Sequence, residues 1–210
     1  PKIMAVNIHA SLLPKYRGAA PVNWAIINGE KTTGVTIFKM NEKLDAGEII
    51  SQKACTIKPG QNSVTLGNQL ADMGKELLEN FLETGIDKKY SFLPQTGKAS
   101  YAPKLKKQDG FIDWKLDAGS ILNRIRGLQP WPAAYTYLSS RLLKIYRAEV
   151  IACKGGMAGE IIEAGKDVLK IKCGSDALSV FEVQIEGRRK MTVKEFLSGH
   201  KVNTGVQLGT

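Results

Sequence analysis

The sequence predicts an α/β region followed by a small β-barrel, and three observations support this prediction. Residues 1–88 alternate strand-like and helix-like hydrophobic patterns, as α/β domains do. Residues 109–210 contain short strand-like runs separated by glycine- and serine-rich turns, a pattern typical of small barrels. Residues 89–108 carry five lysines and no acidic side chain. We therefore predict two domains, 1–88 and 109–210, joined by a basic linker at 89–108.

In the first region, the elements follow from apolar spacing and from the residues that begin helices. The apolar run at 3–6 predicts a buried parallel strand. Pro21 is placed to begin a short helix, since proline suits the first helical turn. A β-branched run at 35–38 and a second run from Glu48 predict two further strands. Ser63 is the predicted cap of a long helix whose apolar positions recur at helical spacing.

In the second region, strand signals dominate. A short helix is predicted near 118–125 and another at 193–197. Between them lie five predicted strands, at 134–138, 142–150, 159–163, 168–171 and 178–183. Strands of this length joined by tight turns indicate a small barrel.

The composition limits the classes of function. The chain has 30 Lys and Arg against 20 Asp and Glu, a net charge of +10. This excess favours an anionic partner, although a basic protein without one shows the same balance. Three scattered cysteines and two histidines disfavour a zinc site, so we expect no bound metal. We also expect a cytoplasmic protein with no membrane partner. Because a strand follows Pro1 almost at once, we expect further sequence upstream.

The first chemical signal is the segment Asn7-Ile8-His9. Side chains two apart on a strand face the same side, so Asn7 and His9 project together. Ligands of open α/β sheets bind where strands end. The alternative is a polar strand edge covered by a loop.

Two further signals follow along the chain. The loop at 11–18 holds two leucines and a proline without an obvious core role, and it is suited to form the wall of a pocket for a flat heterocycle. The alternative is a loop that folds over its own sheet. Asp45 lies in a predicted turn between strands, where a carboxylate can orient a histidine. The alternative is a turn aspartate that bonds its own backbone.

In this order, the Asn-x-His strand, the Ser-Leu-Leu-Pro loop and the Asp-x-Gly turn together resemble the folate-dependent formyltransferase family. The resemblance implies a catalytic trio formed by Asn7, His9 and Asp45. It also implies that the folate lies against Ser11, Leu12, Leu13 and Pro14. The formyl donor would then be 10-formyltetrahydrofolate, and the reaction would need no metal.

Other segments narrow the resemblance within that family. The segments at 15–21, 101–104, 112–114 and 130–133 are similar to those of methionyl-tRNA formyltransferases. This narrower resemblance implies that the chain contains part of a Rossmann-like formyltransferase domain, followed by an OB-like barrel that binds tRNA. Complete members carry roughly a hundred further residues before the Asn-x-His strand, about the size of a small domain. Residues 1–88 are therefore predicted to be the carboxyl-terminal part of the catalytic domain.

The implied reaction is formyl transfer to the α-amino group of initiator methionyl-tRNA, for translation initiation, by a monomer. Side chains predicted to contact tRNA phosphates are Lys104, Lys106, Lys107, Arg124 and Arg126. For each of these, the alternative is a solvated surface charge. Two other functions remain open: a formyltransferase acting on an amino-sugar nucleotide, and, for this chain alone, a tRNA-binding module without catalysis.

Overall fold

A three-stranded antiparallel sheet with a long helix on one face forms the centre of the first of two units. The computed structural model describes residues 4–84 and 91–209, and the chain divides into the units Pro1–Leu105 and Lys106–Thr210. The elements of the first unit are β1 (Val6–His9), α1 (Pro21–Ile27), β2 (Thr32–Lys39), β3 (Ile49–Thr56) and α2 (Ser63–Glu83).

The strand pairing corrects one prediction. Strand β1 pairs antiparallel with β2, with Asn7 opposite Phe38 and His9 opposite Thr36, and β2 pairs antiparallel with β3. The parallel pairing predicted for the first strand is wrong in the part of the chain that the structure describes. An apolar run indicates that a strand is buried, but it carries no information on the direction of the neighbouring strand. The strand also begins later than predicted, and residues 1–3 lie outside the described part.

The two faces of this sheet have different uses. Cross-strand partners share a face, so Ile8 and Ile37 lie on one side and His9 and Thr36 on the other. The Ile8 side faces α2, because a Cβ added at Gly74 would lie 3.0 Å from Ile8 Cγ2. Apolar side chains of α2 pack into the core there. The helix thus covers one face, and the polar residues of β1 occupy the other.

Helix α2 begins one residue away from the predicted cap. Its N-cap is Asn62, whose side chain accepts a hydrogen bond from the Thr65 backbone N–H at 2.9 Å. The Thr65 hydroxyl in turn accepts from the Asn62 N–H at 3.1 Å. Ser63, the predicted cap, is instead the first helical residue. Asparagine and serine both favour the N-cap position, so the local sequence could not decide between Asn62 and Ser63.

Residues 91–105 belong to the first unit. Leu93 forms a β-bridge with Ile49. The backbone of Arg17 donates to Ser100 O at 2.9 Å and accepts from Ala102 N at 2.7 Å. These residues fall within the stretch predicted as a basic linker, and the predicted boundary at 88–89 lies outside the described residues. The division into 1–88, 89–108 and 109–210 therefore stays a prediction.

The second unit is mostly β. After a short 3-10 helix (Lys107–Gly110), its elements are α3 (Ala118–Gly127), β4 (Ala134–Leu138), β5 (Arg141–Ile151), β6 (Ile161–Ala164), β7 (Leu169–Lys172), β8 (Ala177–Ile185), β9 (Met191–Thr192) and α4 (Val193–Gly199). The antiparallel sheet has the order β4-β5-β8-β7-β6, and β9 pairs with β8. The five predicted strands and both predicted helices are confirmed, with bounds shifted by at most two residues. Among the described residues, no helix combines the length and apolar character that crossing a bilayer requires.

Candidate active site

The imidazole of His9 lies at the end of β1 and is buried, with 6% of the residue exposed. Its Nε2 lies 2.8 Å from the carbonyl oxygen of Tyr16. Because a carbonyl oxygen only accepts, Nε2 carries the hydrogen in this contact. The other nitrogen, Nδ1, lies 3.7 Å from Asp45 Oδ2, beyond direct hydrogen-bond length. The ring is thus anchored through one nitrogen, and the other faces a carboxylate.

Asp45 is held in a turn by the loop that follows β1. It has a φ of 44°, in the left-handed region that residues other than glycine rarely adopt. Its Oδ2 accepts a hydrogen bond from the Gly18 N–H at 2.8 Å. Gly18 has a φ of 122°, and a Cβ there would lie 2.7 Å from Ala102 O. Only glycine fits at position 18, and this close packing directs its N–H at the carboxylate.

Asn7 lies on the same face of β1 as His9. It is half-buried and pairs across the sheet with Phe38, whose ring contacts the His9 ring edge-on at 6.4 Å between centroids. The structure therefore brings His9 close to Asp45 and places Asn7 on the same face of the sheet. The catalytic roles of these three residues stay predictions.

The Ser-Leu-Leu-Pro loop is fixed by the central strand of the sheet. The Thr36 hydroxyl donates to Ser11 O at 2.6 Å and accepts from the Leu13 N–H at 3.2 Å. Ser11 is fully buried and Leu13 is 3% exposed, whereas Leu12 and Pro14 are half-buried. Leu12 and Pro14 are therefore the two residues of the Ser-Leu-Leu-Pro stretch that remain partly exposed. The predicted contact of this stretch with folate stays a prediction.

Sequence reasoning missed several residues that build this site. The Tyr16 carbonyl, the Gly18 N–H and Thr36 were not singled out, and neither was Gln95, whose side chain bonds the Asp45 turn. Their roles depend on backbone atoms or on contacts distant in sequence, which hydrophobic periodicity does not report. The one local signal was the constraint that Pro14 and Gly18 impose on the loop.

The predicted tRNA contacts differ in exposure. Lys104, Lys106 and Lys107 are exposed. In the second unit, Arg124 donates to Asp109 O at 2.7 Å. Arg126 is half-buried and donates to Asn123, and burial lowers the pKa of its guanidinium. The lysines are therefore more accessible than the arginines. These contacts with tRNA stay predictions.

Two of the three thiols are poorly suited to act as nucleophiles, and the described residues show no cluster of metal-binding side chains. Burial raises the pKa of the Cys173 thiol to about 12, so it is protonated at neutral pH and a poor nucleophile. Burial also raises the pKa of Cys55. Within 4–84 and 91–209, no group of three or more His, Cys, Asp or Glu side chains is arranged to hold a metal ion.

The chain matches two protein-family models, one for each unit. Residues 1–82 match the formyl transferase model, and residues 104–201 match that of the formyl transferase C-terminal domain. The mixed α/β fold also resembles HypX from Aquifex aeolicus, solved in complex with tetrahydrofolic acid. The TM-score is 0.71 at 18% identity, covering 97% of this chain and 38% of that one. The two family matches place this chain among the formyl transferases.

Relatives with similar sequences show to which family of formyl transferases the chain belongs. A methionyl-tRNA formyltransferase from Caldanaerobacter subterraneus is 44% identical over 99% of this chain, and one from Staphylococcus epidermidis is 46% identical over 95%. The chain belongs to the methionyl-tRNA formyltransferase family. It spans about two thirds of the length of these relatives, 68% and 65% respectively.

Proposed function

We propose that the full natural protein transfers the formyl group of 10-formyltetrahydrofolate to the α-amino group of initiator methionyl-tRNA. This reaction would serve translation initiation in the cytoplasm. One observation carries the proposal: the buried His9 imidazole faces the Asp45 carboxylate at 3.7 Å, on the sheet face that also holds Asn7. Membership of the methionyl-tRNA formyltransferase family supports the choice of donor and acceptor.

The reaction sets clear demands on such a site. A neutral amine attacks the formyl carbon, negative charge develops on the formyl oxygen, and the folate nitrogen leaves with a proton. Catalysis therefore needs a hydrogen-bond donor to the oxygen, a group that moves protons, and fixed geometry.

Each of the three side chains fits one of these needs. The Asn7 amide donates to the developing oxyanion. His9 uses its Nδ1 edge for proton exchange, because its Nε2 is bonded to the Tyr16 carbonyl. Asp45 faces that edge, orients the ring and accepts the proton of the attacking amine through water. The 3.7 Å separation is consistent with a catalytic contact that shortens when substrates bind.

The loop after β1 fits a folate ring. Leu12 and Pro14 offer apolar side-chain surface, while buried Ser11 and Leu13 fix the shape of the loop. A flat pterin ring packs well against such a wall. On this proposal the protein supplies position and charge, and the reactivity of the formyl group belongs to the folate.

The second unit would bind tRNA. Its five-stranded antiparallel path and the register shifts in β5 support an OB-like barrel, since bulges bend strands toward closure. The exposed lysines at 104, 106 and 107 would contact phosphates as single charges, and Arg124 and Arg126 would add further phosphate contacts. Residues 1–88 would then hold the catalytic trio, and 109–210 would be the tRNA-binding part of a monomer. The stretch 89–108 would connect them, with residues up to 105 folded into the first unit.

A competition assay tests the proposed acceptor. The full natural protein is given labelled 10-formyltetrahydrofolate with equal amounts of methionyl-tRNA and a nucleotide-linked amino sugar. We expect the label on methionyl-tRNA. Label on the sugar would instead show an amino-sugar formyltransferase, and tRNA retention in a gel shift without any transfer would show a non-catalytic binding module.

A further inference from the structure

The side chain of Gln95 connects the two loops that build the candidate active site. Its amide nitrogen donates to the carbonyl oxygens of Asp45 at 2.9 Å and Gly47 at 2.8 Å. Its amide oxygen accepts from Arg17 Nη2 at 2.7 Å and Nε at 3.1 Å. A primary amide has two N–H donors and one oxygen with two lone pairs. The hydrogen-bonding capacity of Gln95 is therefore fully used by these two loops.

These bonds close a ring around Asp45. Gly18, the residue after Arg17, donates its N–H to the Asp45 carboxylate at 2.8 Å. The segment Arg17-Gly18 thus reaches Asp45 twice, directly at the carboxylate and through Gln95 at the backbone. Such a ring fixes both the position of the turn and the direction of the carboxylate.

The turn is one that needs external support. Asp45 has a φ of 44°, and residues other than glycine keep this conformation only where the surrounding structure enforces it. Gly47 packs so closely on β2 that an added Cβ would lie 1.6 Å from Lys39 O. Gln95 bonds the carbonyl groups on both sides of Ala46, so it holds the turn at its centre.

We propose that Gln95 is a positioning residue for formyl transfer, which keeps the Asp45 carboxylate directed at the His9 ring. The proposal rests on the proposed function and adds to it a residue that does not touch the substrates. A displacement of about 1 Å in a catalytic group lowers rates by up to about a hundredfold. We expect the effect in kcat, because the Gln95 amide uses its hydrogen bonds within the protein, on Arg17 and on the Asp45 turn.

The first test is Gln95→Ala in the full natural protein. We expect kcat to fall by about tenfold to a hundredfold, with KM for methionyl-tRNA changed by less than about twofold. The matched control is Gln69→Ala on α2, which loses one side-chain hydrogen bond, to Gln61, on the opposite side of the sheet. The control should keep both constants. Wild-type kcat in Gln95→Ala would overturn the proposal.

A second variant separates the two halves of the amide. Gln95→Glu keeps an acceptor for Arg17 but replaces the donors to Asp45 O and Gly47 O with an oxygen. We expect it to lose as much kcat as the alanine variant. Wild-type kcat would show that only the Arg17 bond matters, against the proposal. If Gln95→Ala does not fold, as judged by circular dichroism, this variant decides alone.

A double-mutant cycle shows whether Gln95 acts through Asp45. In the background of Asp45→Asn, Gln95→Ala should cause no further fall in kcat. If the double variant lost kcat by the product of the two single effects, Gln95 would act independently of Asp45, and the proposal would be wrong. The same assay separates the two proposals: wild-type rates in Asp45→Asn and His9→Ala contradict the proposed function. Slow rates in those variants, with a wild-type rate in Gln95→Ala, contradict only the positioning role.

Discussion

The residues assigned to catalysis and those assigned to tRNA binding are held in opposite ways. His9 and Asp45 are each bonded at 2.8 Å to a backbone atom of the loop after β1, and His9 is almost fully buried. The lysines at 104, 106 and 107 are exposed to solvent. Bond making requires fixed geometry, whereas attraction to a polyanion requires only charge near the surface. Substitutions in the first group should therefore change rates, and those in the second should change salt dependence.

Apart from the substitution of His9, the largest effect is expected at Asn7. If its amide donates to the oxyanion, Asn7→Ala lowers kcat by about 10²- to 10³-fold in the full natural protein. The measurement is single-turnover formylation of methionyl-tRNA. Asn41→Ala, an exposed asparagine in the same unit, is the control and should leave the rate unchanged. Equal rates in both variants would remove Asn7 from the catalytic group.

The second effect concerns the exposed lysines. Changing Lys104, Lys106 and Lys107 together to Ala should reduce the slope of log affinity for tRNA against log salt by about three. The control changes Lys31, Lys58 and Lys75, which are also exposed, and so alters the net charge equally. Filter binding at several salt concentrations measures the slope for both triple variants. Equal slopes for the two triple variants would mean that total charge, not this segment, attracts tRNA.

The third effect is on stability. Thr36 is fully buried, and Thr36→Val removes the hydroxyl that bonds Ser11 O and Leu13 N. Leaving these backbone groups unpaired should cost about 2 kcal/mol of unfolding free energy. Urea denaturation measures this, with exposed Thr32→Val on the same strand as control. A loss equal to that of the control would show that the loop does not depend on this hydroxyl.

The smallest effect is expected at the start of α2. Asn62→Ala removes the N-cap and should cost about 1 kcal/mol, without changing kcat. Asn68→Ala, at an exposed position inside the helix, should be neutral or slightly stabilising. Thermal unfolding of both variants checks the difference. A change in kcat for Asn62→Ala would mean that α2 influences the site through the sheet.

Much of the secondary structure follows from local sequence. The strands at 134–138 and 178–183 and the helix from Pro21 are recognisable because apolar spacing and turn residues act within a few positions. The antiparallel pairing of β1 with β2 was missed, because pairing depends on contacts that an apolar run does not encode.

The residues of the candidate site show the same contrast between those that the sequence could identify and those that it could not. Asn7, His9 and Asp45 could be selected by their order along the chain, and the structure places His9 beside Asp45. The Tyr16 carbonyl and Gln95 could not be selected in this way. The first is a backbone group of a residue in the left-handed conformation, and the second lies 50 residues from Asp45 along the chain. Residues that support a site are recognised by geometry, not by residue type.

The most direct test of the account is single-turnover formyl transfer to methionyl-tRNA by the full natural protein carrying His9→Ala. The control is His200→Ala, which removes the chain's other histidine, packed on Phe196 in the second unit. We predict that the His9 variant is slower by about 10²- to 10⁴-fold, and that the control keeps the wild-type rate. Transfer by His9→Ala at the wild-type rate would contradict the account.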